Sequence, residues 1–118
     1  MLFTYTISHK KDVYVINIEG ELIDKNQAEP FVQEIKKLVD AGNKKYVLDF
    51  SNLRYMNSSG LGVLISVLTK IRNSDGELSV TNLNKKIKEL LVITKLNQMF
   101  HVTDTLEKAI ESLSKNSS

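Results

Sequence analysis

The sequence predicts an α/β fold: one domain built on a mixed, largely parallel central sheet of four to five strands with about four helices, in the order β-β-α-β-α-β-α-(β)-α. Three observations carry this expectation. The chain opens with two strand-like runs separated by a short polar turn. From residue 28 onward, apolar stripes at helical spacing alternate with apolar runs too short for helices. The 118 residues make one domain's length and hold neither an internal repeat nor a low-complexity segment.

Residues 3–8 (FTYTIS) alternate apolar and polar side chains and are rich in β-formers, which predicts a half-buried strand. Residues 9–12 (HKKD) read as a polar turn, and residues 13–20 (VYVINIEG), apolar on both faces for much of their length, pair with the first strand as a hairpin. The period then changes. Ala28, Phe31, Val32, Ile35, Leu38 and Val39 form one apolar helical stripe. Asn26 with Glu29 resembles a capping box, Pro30 is tolerable only in a first turn, and Gly42 suits a C-cap.

Residues 45–50 (KYVLDF) predict an interior strand, followed by a loop over 51–57 (SNLRYMN). Leu61, Leu64, Ile65, Leu68 and Ile71 mark a second helix that Ser74, Asp75 and Gly76 end. Residues 77–83 (ELSVTNL) give the next strand, and Ile87, Leu90, Leu91 and Thr94 a third helix. Residues 99–104 (MFHVTD) hold a short edge strand. A last helix carries Leu106, Ala109, Ile110 and Leu113, with Asp104 and Glu107 as a second capping box. The domain is expected over 1–113, with 114–118 a disordered polar tail.

Composition narrows the function. Hydrophobic residues make up 42% and charged residues 25%, ordinary values for a globular protein that buries its own core. The absence of cysteine removes thiol catalysis, disulfides and thiolate metal sites together. A net charge of +2, from 16 basic and 14 acidic residues, is no footprint for nucleic acid or a membrane surface. The lysines at 85, 86 and 88 read as a solvated helix face. No apolar run approaches the ~20 residues of a membrane span, and the N-terminus has no signal-peptide pattern. A cytoplasmic protein is the expectation.

In an open α/β sheet, the informative place is where a strand ends and a helix begins. Residues 54–64 (RYMNSSGLGVL) are such a junction, with free N–H groups, glycines and two adjacent hydroxyls. One reading is structural: Ser58 or Ser59 caps the helix and Gly60 relieves the turn. A single serine suffices for a cap, which leaves the second without structural duty. Phosphate-loop and nucleophile-elbow patterns are absent around Gly60 and Gly62. The two histidines, His9 in the hairpin turn and His101 beside the late edge strand, lack the carboxylate spacing of a base or a metal ligand. Asp24, Glu29, Asp49, Asp75 and Glu77 are scattered at caps and turns. No enzyme, cofactor or metal site is expected.

Three segments carry a resemblance: INIEGELID, YVLDFSNLRYMNSSGLGVLISVLTKIR and LSVTNLNKKIKELLVITKLNQMFHVTDTLEKAI. Nearly the whole chain resembles the STAS domain family, in particular its bacterial anti-sigma factor antagonists, and the second segment is the specific one. The resemblance implies a regulatory switch by partner exchange. The unphosphorylated protein binds an anti-sigma factor that is also a serine kinase of histidine-kinase-like ATPase fold, and so displaces a sigma factor. The kinase phosphorylates the first serine of the signature, the complex dissociates, and a PP2C-type phosphatase resets it. Carried over by position, that serine is Ser58, with Ser59 the runner-up and the residue assigned to the helix turn. Asp24, Asn57, Ser58, Ser59, Gly60, Leu61 and Gly62 then form the partner-binding set. Two departures stand out. Asn57 replaces the family's usual aspartate, and Ile23 displaces the acidic residue after Gly-Glu-Leu, leaving Asp24 one place late. The family also implies two alternatives, an unphosphorylated docking module in a stressosome-like assembly or one beside a transporter. A small-ligand or nucleotide site at the turn of residues 57–62 is a more distant third.

Overall fold

Alternation and helical periodicity translate into ten elements in the computed structural model, which describes residues 2–115. Strands β1 (Phe3–Lys10) and β2 (Val13–Leu22) form an antiparallel hairpin. Then come helix α1 (Glu29–Asp40), β3 (Lys45–Met56), α2 (Ser58–Asn73), β4 (Glu77–Thr81) and α3 (Lys85–Ile93). A 3-10 turn at Leu96–Gln98, β5 (His101–Thr103) and α4 (Leu106–Lys115) complete the chain. The sheet order is β1-β2-β3-β4-β5, and every pairing after the hairpin is parallel. The mixed α/β fold with the expected element order is therefore present.

Two layers cover the sheet. Odd and even positions along β2 point to opposite faces, so Ile16 and Ile18 join the large core under α1, α2 and α3. Val13 and Val15, with Val47 of β3, pack instead under Ala109 and Leu113 of α4. Phe31, Ile35 and Val39 of α1 and Leu64, Leu68 and Ile71 of α2 are buried as their spacing requires. Ile65 is the exception: it lies at the surface, and Val63 and Val67 take the inward positions. No helix among the described residues is long and apolar enough to cross a membrane.

Several boundaries differ from expectation, each for a local reason. The strand β1 continues through His9, whose ring stacks on Tyr14 at 4.3 Å, so His9 belongs to the hairpin's arm rather than its turn. Residues 51–56 are strand, not loop. They alternate poorly because β4 stops opposite Asp49, leaving the end of β3 paired to β2 alone, with Leu53 and Met56 buried and Arg54 and Tyr55 exposed. Asn26 does not cap α1. Its N–H instead donates to Asp24 Oδ1 at 2.8 Å, and Ala28 stands at the N-cap with no side-chain bond. At α4 the cap is Thr105, whose Oγ1 accepts from Lys108 N at 3.2 Å, not Asp104. Gly42 does close α1: its φ of +97° and the bonds Gly42 N to Val39 O and Asn43 N to Leu38 O end the helix in a left-handed turn. The helix α4 takes in Ser114 and Lys115 of the expected tail, and 116–118 lie outside the described residues.

Candidate functional site at the start of helix α2

The end of β3 overhangs the sheet and delivers Asn57 to the first turn of α2. Asn57 has extended backbone and is the N-cap: its Oδ1 accepts from Gly60 N at 3.0 Å, and its main-chain carbonyl accepts from Leu61 N at 2.9 Å. The other half of the same amide donates to Ile23 O at 3.3 Å, while Asn57 N donates to Leu22 O at 3.4 Å. One side chain thus starts the helix and ties it to the loop after β2. This corrects the expectation for the serines. Neither Ser58 nor Ser59 caps α2, and among the described residues neither hydroxyl has a hydrogen-bond partner.

Gly60 explains why this junction is tight. A Cβ there would stand 1.9 Å from the Leu22 carbonyl oxygen and 2.9 Å from the Met56 side chain, so only glycine lets α2 sit on the end of β2. Gly62 is different: a Cβ there meets nothing, and its place is on the exposed side of the helix.

The expected site residues separate into two groups. Ser58, Ser59, Gly62 and Asp24 are exposed and Asn57 is partly so, whereas Gly60 is buried and Leu61, 7% exposed, belongs to the core. Gly60 and Leu61 therefore lie in the platform beneath the exposed residues of the turn. Asp24 sits on the loop that Asn57 anchors, with its carboxylate turned back on Asn26 N. The two serines face different ground. Ser58 borders a shallow groove with Tyr55, Lys86, Glu89, Leu90 and Ile93, between the end of β3 and α3. Ser59 borders another with Lys25, Glu29, Val32, Gly62 and Ser66, between α1 and α2.

Tyr55 and Ile93, 49% and 78% exposed, were missed by the sequence reading. The available signal was that Ile93 falls outside the stripe of Ile87, Leu90 and Leu91, an apolar side chain near Lys86 and Glu89 on the helix surface. The first turn of α2 contains no acidic residue, Lys86 lies in the Ser58 groove, and the first-turn N–H groups of Ser58 and Ser59 have no intrahelical acceptor. That environment suits an anion. Both histidines are elsewhere: His9 is on the hairpin, and His101 Nε2 lies 3.0 Å from Ser112 Oγ beside β5.

Behind the site, Asp49 organises the ends of β2, β3 and β4. Its Oδ1 accepts from Ser51 N and Asn82 Nδ2, each at 3.0 Å, and Asn17 bridges Ser51 and Asn52. Burial pushes the Asp49 carboxyl up, but the hydrogen bonds from Asn82, Ser51 and Asn17 outweigh it and hold the group below its ordinary value.

The model of the STAS domain matches residues 4–109. The chain is 31% identical to BtrV of Bordetella bronchiseptica over 88 residues, 75% of this chain and 76% of that one. It is 28% identical over 102 residues to the anti-sigma-B factor antagonist of Staphylococcus epidermidis, covering 86% and 93% of the two chains. Among solved structures, an anti-sigma factor antagonist from Mycobacterium paratuberculosis superposes with a TM-score of 0.82 at 24% identity, covering 95% of this chain and 94% of that one. With its family model spanning most of the length and the fold in agreement, the chain belongs to the STAS domain family.

Proposed function

We propose that the protein is an anti-sigma factor antagonist, a binding switch without catalysis of its own, and that Ser58 is its phosphorylation site. In its unphosphorylated form it binds an anti-sigma factor serine kinase through the exposed start of α2 and so frees a sigma factor. Phosphorylation of Ser58 ends the complex, and a PP2C-type phosphatase restores the hydroxyl. The observation that carries this is the division of labour in the turn. Asn57 caps the helix alone, so the Ser58 hydroxyl stands exposed and unbonded on a platform held rigid from beneath. The named relatives support the same reading, as does the apolar groove of Tyr55 and Ile93 beside Ser58, ground a partner would cover.

The physics gives the switch its direction. A phosphoserine carries about −1.5 to −2 charges and three acceptor oxygens. At Ser58 it would meet the open N–H groups of α2 and Lys86, which offset the opposing carboxylate of Glu89 in the same groove, and the domain itself stays folded. The penalty falls on the complex, where a surface fitted to a neutral hydroxyl must desolvate a dianion, about 2–5 kcal/mol. Titration calorimetry against the cognate kinase tests this with Ser58→Asp and Ser58→Ala. Ser58→Ala should bind like the wild type. Ser58→Asp should bind at least tenfold more weakly with an unchanged melting temperature, and equal affinity of the two variants would refute the switch.

A further inference from the structure

We propose that the free edge of β1 pairs with β1 of a second copy of this chain, antiparallel about a two-fold axis at Thr6, so that the sheet continues across a dimer. The two edges of the sheet are unlike. The edge strand β5 is three residues long and hemmed in by the 3-10 turn and α4, the usual way an edge is blunted. The other edge, β1, is eight residues long and pairs with β2 at every position without a bulge. It contains no proline, and no residue from Phe3 to Ser8 is charged. None of the common edge guards is present over that length.

Parity fixes the register. A two-fold axis perpendicular to the sheet keeps every side chain on its own face only when paired residue numbers are both odd or both even. The longest such overlap sets Thr6 against Thr6 and runs from Leu2 to Lys10. On the face away from α1, Thr6 then opposes Thr6 and Thr4 opposes Ser8, hydroxyl against hydroxyl, with Leu2 against Lys10 at each end of the row. On the helix face Tyr5 opposes Ile7, an aromatic against a β-branched side chain, and Phe3 opposes His9. Each is a favourable cross-strand pair, and no like charges meet. Tyr5 and Ile7 are only half-buried in the single chain, and Leu2 is 75% exposed. The helix α1 supports the same axis. Tyr5 Oη donates to Glu34 Oε1 and to Pro30 O, which sets Glu34 over the β1 edge, and Lys37 lies one turn on along that flank. The axis runs the two α1 helices antiparallel, with Glu34 of each beside Lys37 of the other.

Sedimentation equilibrium of the full chain over a concentration series is expected to give a monomer–dimer equilibrium reaching twice the monomer mass. Thr6→Lys, at an exposed position, brings like charges together at the axis; it should melt as the wild-type monomer does and lose the dimer. Because the chain has no cysteine, single cysteines read the register cleanly. Under mild oxidation Thr6→Cys should cross-link to itself, whereas Thr4→Cys and Ser8→Cys should cross-link only when mixed. A monomer at every concentration, a dimer that survives Thr6→Lys, or Thr4→Cys linking to itself as readily as Thr6→Cys would each overturn the proposal.

Discussion

Asn57 does two jobs with one amide, and an aspartate in its place would do only one. The carboxylate could still accept from Gly60 N, but it has no hydrogen to give to Ile23 O. Asn57→Ala removes both bonds and should lower unfolding stability by about 1–2 kcal/mol in urea titrations. Ser59→Ala, which loses no cap, should stay within about 0.5 kcal/mol of the wild type. The reverse order would return the cap to the serines. The sequence pointed to this turn but misassigned its cap, because serine and asparagine have similar N-cap preference and nothing in one dimension says which faces the helix. Asp49 makes a second residue-level case. Its carboxyl is held below the ordinary value of 3.8, so the stability it contributes is fully present above that pH and is lost as pH falls through the lower folded value. Asp49→Asn should therefore destabilise the protein at neutral pH, and the gap between variant and wild type should narrow below about pH 4. A gap that stays constant across denaturant titrations from pH 7 to pH 3 would mean that the charge contributes nothing.

At the scale of elements, α2 is the one to test, since its two glycines behave oppositely. Gly60 is fixed by a backbone contact, while Gly62 lies on open helix surface where alanine is the better helix former by about 1 kcal/mol. Gly62→Ala should raise stability by about that amount, measured by thermal or urea unfolding. It should also weaken kinase binding if the partner's backbone approaches the Ser59–Gly62 side of the helix. Higher stability with unaltered binding would confine the contact to the Ser58 groove. Among the elements legible in the sequence, α1 and β1 are those whose burial is one-sided. The stripe of α1 and the alternation of β1 were readable because periodicity records which face meets the core. The overhang of β3 was not. Residues 51–56 lie beyond the last residue of β4, so their polar side chains follow solvent on one side and β2 on the other, and their pattern imitates a loop.

For the whole molecule, the fold puts rigidity and exposure side by side. The buried ends of β2 and β3 hold Gly60, Leu61 and Asn57 in place, and the surface just above them carries Ser58, Tyr55 and Ile93. The signature singles out this turn in the sequence, yet not the groove beside it. Tyr55 and Ile93 are 38 positions apart in the chain and share a groove only once α3 has packed back over the end of β3. The most direct test of the account is phosphosite mapping by mass spectrometry after incubation with the cognate anti-sigma kinase and ATP. A single phosphate on Ser58 is expected, abolished in Ser58→Ala and retained in Ser59→Ala. Phosphate on Ser59 alone would move the switch to the α1–α2 groove, and no phosphate on either serine would contradict the switch and leave a docking module that is never phosphorylated.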